Sequence, residues 1–334
     1  MSAVKEPQSA IAEKYLDARN RGLDFLMGQL RPDGGFGPEE RGVTDYYKMI
    51  SVLNVCGETL HANRLCKWIR ENGMTPEGDF GPRPADAFQY SHAYYNSWVI
   101  GGSHRVGYYD LAMRGFEFLL DFYDPQSGGY YSSRTEREAS TLQDIWVVCG
   151  SARAALMVGR VDVAEGTGRW LEEVFRQQPN FPEQIYGVFS REKGLITDPD
   201  PNDDIRYVCN RDAHEDQYFF NPGISAGVLT RLYLATGKRK WLDLAMAYLS
   251  FVDEAPDYLF TSLRAGKVAW AASNLYTVTG MTKYRDIVIK VAENIVDQQE
   301  ADGCWESVIG TNDATAEMTY WLDQIYQSVG AIAD

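Results

Sequence analysis

A chain of 334 residues, 45% hydrophobic and 24% charged, has the composition of an ordinary globular protein. Its 47 acidic against 32 basic side chains leave a net charge of −15, which argues against nucleic acid, whose phosphates need a basic stripe. No apolar run is long enough to cross a membrane, Met1 to Ser9 is too polar for a signal peptide, and the five cysteines are odd in number and scattered, so a cytoplasmic protein without membrane contact or structural zinc is expected.

In chain order the apolar pattern predicts helices of two alternating kinds. Amphipathic helices fall at 9–30, 59–71, 108–123, 162–177, 239–253 and 282–299. Between them lie helices apolar nearly all round, at 44–56, 89–105, 141–158, 217–236, 265–279 and 313–331, which must be buried on every side. Each apolar helix hands over to the next amphipathic one at a glycine: Gly57, Gly107, Gly159, Gly237 and Gly280, with Gly330 ending the series. The gaps are 50, 52, 78, 43 and 50 residues, a repeat interrupted by one polar insertion at about 180–216. The amphipathic helices end instead in Gly-aromatic turns, as in "RPDGGFG" (Arg31 to Gly37), "TPEGDFG" (Thr75 to Gly81), "DPQSGGYY" (Asp124 to Tyr131) and "EADGCWES" (Glu300 to Ser307). The chain opens on an outer helix and closes on an inner one, and no polar capping repeat is visible at either end. These features predict an all-α fold, an (α/α)6 toroid of six inner and six outer helices forming one domain, rather than an open solenoid.

The handover turns are short and the aromatic turns long, which puts an open bowl at the N-terminal ends of the inner helices. Their first turns are polar and aromatic: "TDYYK", "QYSHAYYN", "TLQDIW", "EDQYFFN", "GKVAW" and "TAEMTYW". Candidate acid–base residues at this level are His92, Asp45 and Asp144, with His214 or Asp216 as the opposing partner. Tyr46, Tyr90, Tyr95, Trp146, Tyr218, Trp270 and Tyr320 are expected to form an aromatic wall. Glu317 and Asp323 are six apart on the last inner helix, so at most one of them reaches the bowl. The insertion carries an acid run, Asp198 to Asp204, without the alternation of a calcium loop, and its position over the mouth suggests a lid. A phosphate loop, a nucleophile elbow and an HExxH pair are all missing, so no cofactor and no metal are expected.

The aromatic turns "RPDGGFG" and "EADGCWES", each preceded by glutamine (Gln29; Gln298 and Gln299), resemble the repeat of the terpenoid cyclase and protein prenyltransferase superfamily of α/α toroids. That resemblance implies the toroid but not the activities, because the DxDD acid motif is replaced by DPNDD at Asp200 to Asp204 and neither the DDxxD motif nor the prenyltransferase zinc set is present. The stretch from Tyr108 to Tyr131 is similar to the acylglucosamine epimerase group of toroids, which pairs two histidines across the barrel; only His92 and His214 could do so here. The leading expectation is a cyclase, isomerase or lyase acting by acid–base chemistry on a small, mostly neutral, partly hydrophobic molecule. The alternatives are a carbohydrate-active hydrolase, lyase or epimerase, and a non-catalytic small-molecule receptor. The oligomeric state is left open.

Overall fold

The computed structural model describes residues 8–200, 205–308 and 310–330; part of the acid run, at 201–204, lies outside them. The outer helices are α1 (Gln8–Met27), α4 (Thr59–Trp68), α6 (Tyr109–Leu119), α8 (Val161–Arg176), α10 (Arg239–Leu249) and α13 (Thr282–Asp297). The inner ones are α2 with α3 (Val43–Tyr46 and Met49–Val55), α5 (His92–Arg105), α7 (Ile145–Met157), α9 (Phe220–Thr236), α12 (Gly266–Thr279) and α14 (Thr311–Gly330); a short α11 (Asp257–Thr261) precedes α12. Each inner helix packs on the next, and α14 returns to pack on both α3 and α1, which closes the ring. The fold is the (α/α)6 toroid that the repeat implies.

Two glycine roles make the repeat physical. The handover glycines Gly57, Gly107, Gly159, Gly237 and Gly280 all take positive φ, a conformation that stops a helix at little cost only without a side chain. The turn glycines instead allow close approach to the neighbouring outer helix. A Cβ on Gly128 would stand 2.2 Å from the Gly166 carbonyl oxygen of α8, and one on Gly303 would stand 2.4 Å from the Arg21 carbonyl oxygen of α1. The second of these contacts latches the last turn onto the first helix.

The first inner helix departs from the expected 44–56. It breaks between Tyr46 and Met49, and the break turns Lys48 inward with only 1% of its surface exposed. The start of the third is also shorter than expected, because Gln143 and Asp144 form a strand, β1, instead of a first helical turn. The insertion folds as small antiparallel sheets. Strand β2 (Gln184–Tyr186) pairs with β5 (Val208–Asn210), while β3 (Val188–Ser190) pairs with both β1 and β4 (Gly194–Leu195). Among the described residues no helix is long and apolar enough to cross a membrane.

Candidate active site

A cavity of about 1200 Å³ opens at the N-terminal ends of the inner helices. Tyr47, Tyr90, Tyr95, Trp146, Tyr218 and Phe220 supply much of its wall. Their rings meet edge-on or tilted: Tyr47 and Tyr95 have centroids 4.8 Å apart, Trp146 and Tyr218 6.0 Å. The Tyr90 and Tyr218 hydroxyls are 3.0 Å apart and form a hydrogen bond across the wall.

Four charged residues from three inner helices meet at the floor. Lys267 from the first turn of α12 and Asp313 and Glu317 from successive turns on one face of α14 line it, while Lys48, from the break before α3, lies just behind them. Each is less than a tenth exposed. Glu317 Oε2 accepts from Lys48 Nζ, and Oε1 accepts from Lys267 Nζ and, at 3.1 Å, from Trp321 Nε1. Burial alone would raise the Glu317 pKa, but the two ammonium groups outweigh it and hold the carboxyl far below the ordinary glutamate value.

Asp313 is placed differently. Its Oδ1 lies 3.0 Å from Lys48 Nζ, yet among the described residues it is the one buried carboxylate oxygen with no aligned hydrogen bond. Lys48 is shared with Glu317, so burial, assisted by the negative Glu317, wins and the Asp313 pKa rises. Lys48 stays protonated, because its two carboxylate neighbours outweigh its own burial. The floor thus combines a fixed anion, two ammonium groups and one carboxyl that can carry a proton.

The residues named from the sequence divide between this cavity and the layers behind it. Asp45, Asp216, Tyr90, Tyr95, Trp146 and Tyr218 line it. Asp45 accepts from Asn312 Nδ2 at 2.7 Å, and Asp216 on the rim accepts from Arg264 Nε at 2.7 Å. His92 does not line the cavity. Its Nε2 lies 2.9 Å from both oxygens of Asp79, its ring packs on Phe122, and burial lowers its pKa. Asn96, one turn on, donates to the same Asp79 at 2.9 Å, so this face of α5 clamps the preceding turn. Asp144 does not line it either; it is the N-cap of α7, accepting from the Val147 backbone N–H at 3.0 Å. His214 is exposed and does not line the cavity, although its ring lies 5.9 Å from that of Tyr258, which does. The Tyr46 hydroxyl donates to the Gly81 carbonyl at 2.6 Å behind the wall. Trp270 is packed against Trp321, and Tyr320 lies deeper in the barrel with Arg153.

Lys48, Lys267, Asp313 and Glu317 were not among the acid–base candidates drawn from the sequence. The available signal was a lysine in each of two helices with apolar surroundings, since a buried ammonium requires a carboxylate at the same level.

No protein-family model matches the chain, and no curated protein matches it. Solved structures do. A cellobiose 2-epimerase from Spirochaeta thermophila is 13% identical, with full coverage of both chains and a TM-score of 0.73. A D-mannose isomerase is 12% identical over 95% of this chain and 97% of its own, with a TM-score of 0.69. A GH76 α-mannanase from Bacteroides thetaiotaomicron is 12% identical over 96% and 97%, with a TM-score of 0.66. These likenesses establish the toroid fold. The matched structures are carbohydrate-active enzymes by name, and a terpenoid cyclase is not among these neighbours.

Proposed function

We propose that the chain is a carbohydrate-active enzyme, an aldose–ketose isomerase acting on a neutral reducing sugar in the bowl. The observation that carries this reading is Asp313, a buried carboxyl with a raised pKa beside the Lys48 ammonium under an aromatic wall. A raised pKa makes its ionised form a stronger base than an ordinary aspartate. In the reaction Asp313 takes the proton from the carbon next to the sugar carbonyl, and the electron pair moves onto the carbonyl oxygen. Lys267, which lines the cavity, supplies the positive charge that steadies that oxygen, with Lys48 adding to the field from behind. The proton of the neighbouring hydroxyl passes to the former carbonyl oxygen. Asp313, its proton exchangeable with solvent, then protonates the former carbonyl carbon on the same face as the hydroxyl-bearing carbon becomes the new carbonyl, so one carboxyl serves both carbon steps. Aromatic faces suit the C–H faces of a sugar, and Asp45 and Asp216 can accept from its hydroxyls. The sugar-active enzymes on the same fold support the substrate class.

The test is incubation with a panel of aldoses and reducing disaccharides in D2O, read by NMR. The expected result is a ketose carrying deuterium at C1, with Asp313→Asn lowering the rate by about 10²–10⁴-fold while remaining folded. Absence of ketose and label from every sugar, or full activity in the variant, would overturn the reading. A second reading, glycoside hydrolysis, is favoured by Asp45, which adds another carboxylate to the wall. Release of reducing ends from oligosaccharides, lost in both Asp45→Asn and Asp313→Asn, would establish it instead.

A further inference from the structure

The other end of the barrel holds a second charged cluster that the bowl chemistry does not use. Arg105 ends α5, Arg153 and Arg231 lie near the ends of α7 and α9, and Asn274 and Gln324 face them from α12 and α14. Arg153 lies 3.9 Å from the Trp98 ring centre and donates to the Tyr320 hydroxyl at 3.0 Å. Arg231 makes only long contacts, 3.5 Å to Asn274 and 3.4 Å to Gln324. The three arginines are close enough to act together on Tyr320: burial would raise its phenol, but Arg153, Arg105 and Arg231 outweigh it and lower the pKa.

Among the described residues, no carboxylate pairs with any of these arginines. Asp323 is within electrostatic reach of Arg105 but pairs with Arg19 at 4.0 Å and accepts from Gln327 at 2.7 Å. That is anomalous in a chain with 15 more acidic than basic side chains. The negative ends of the inner helices surround the cluster and lower the cost of assembling it. They do not satisfy its donors. Arg231 Nε and Asn274 Nδ2 are buried with no hydrogen-bond acceptor, which is costly unless a water or an ion supplies one.

We infer that Arg105, Arg153, Arg231 and Asn274 form a binding site for a small oxyanion at the closed end of the barrel, remote from the bowl. A tetrahedral oxyanion presents several acceptors to guanidinium forks, and the exposed Arg105 places the site within reach of solvent. The chemistry is that of phosphate or sulfate, either free or as a phosphate monoester.

The experiment is thermal unfolding of the full chain titrated with inorganic phosphate, sulfate or glycerol phosphate, against chloride at matched ionic strength. A saturable rise in Tm specific to the oxyanions is expected. A stronger response to glycerol phosphate would identify a monoester as the ligand; an equal or weaker one would identify the free anion. Arg105→Gln, at an exposed position, is expected to weaken the apparent Kd about tenfold, one lost charge-assisted bond. Arg231→Gln is expected to abolish the response and to raise the anion-free Tm by relieving repulsion within the cluster. No oxyanion-specific rise in the wild type would overturn the inference. So would the same rise in both variants, since the anion would then be bound elsewhere.

Discussion

The two ends of one ring of inner helices handle cations in opposite ways. At the bowl, Lys48 and Lys267 sit at helix N-termini, where the dipole repels positive charge, and both are paired with Glu317. At the closed end, Arg105, Arg153 and Arg231 sit near helix C-termini, where the dipole attracts positive charge, and among the described residues none has a carboxylate partner. The frame itself therefore tolerates cations at one end but not at the other. Lysines at the bowl need internal carboxylates, and the arrangement makes physical sense as a site maintained for chemistry rather than for stability.

The largest effect that would sharpen this contrast is on catalysis. Asp313→Asn leaves Glu317 and both lysines paired, so activity is expected to fall by about 10²–10⁴-fold with little change in Tm. Glu317→Gln should do the reverse of a clean active-site lesion. It leaves two buried ammonium groups without their anion and is expected to cost about 3–5 kcal/mol of stability in denaturant titration, along with activity. If Glu317→Gln were as stable as the wild type, the pairing at the bowl would not be needed and the contrast would collapse. His92→Ala is expected to cost about 1–3 kcal/mol, because Asp79 loses a buried partner, while kcat/KM stays within a few fold.

The pH dependence follows from the two carboxyls of α14, with opposite signs. Glu317 has a depressed pKa, so its stabilisation is complete above the ordinary value of 4.5 and is lost as pH falls below it. Asp313 has a raised pKa, so its contribution is greatest below the ordinary value of 3.8 and is lost as pH rises through its own titration. Glu317→Gln should therefore differ most from the wild type above pH 4.5 in denaturant titrations followed by circular dichroism, the gap narrowing as pH falls, whereas any stability that Asp313→Asn loses should be largest at acid pH and shrink as pH rises.

Most of the architecture is legible in the sequence because glycine leaves a spacing that no other residue can replace. The handover glycines with positive φ mark the ends of five inner helices, and the turn glycine Gly303 marks where the ring closes on α1. The break at Tyr47 was not legible, since no proline or glycine interrupts the run from Val43 to Val55. At the site, the level of the functional residues was readable but their direction was not. An inner helix buried on all sides has no polar face to show which way a side chain points. His92 and Asp313 stand at comparable levels, yet one turns back to Asp79 and the other into the bowl. Glu317 and Asp323 do separate as their spacing requires, one to the bowl floor and the other toward Arg19.

Of the two floor carboxyls, Asp313 holds its proton more tightly than an ordinary aspartate and Glu317 less tightly than an ordinary glutamate. Carbon-13 NMR titration of the chain labelled at aspartate carboxyls, compared with Asp313→Asn, tests the Asp313 shift without any substrate. One carboxyl resonance is expected to titrate above the ordinary aspartate range and to vanish in the variant. A variant spectrum that loses only a resonance titrating with the ordinary aspartates, or below them, would contradict that expectation.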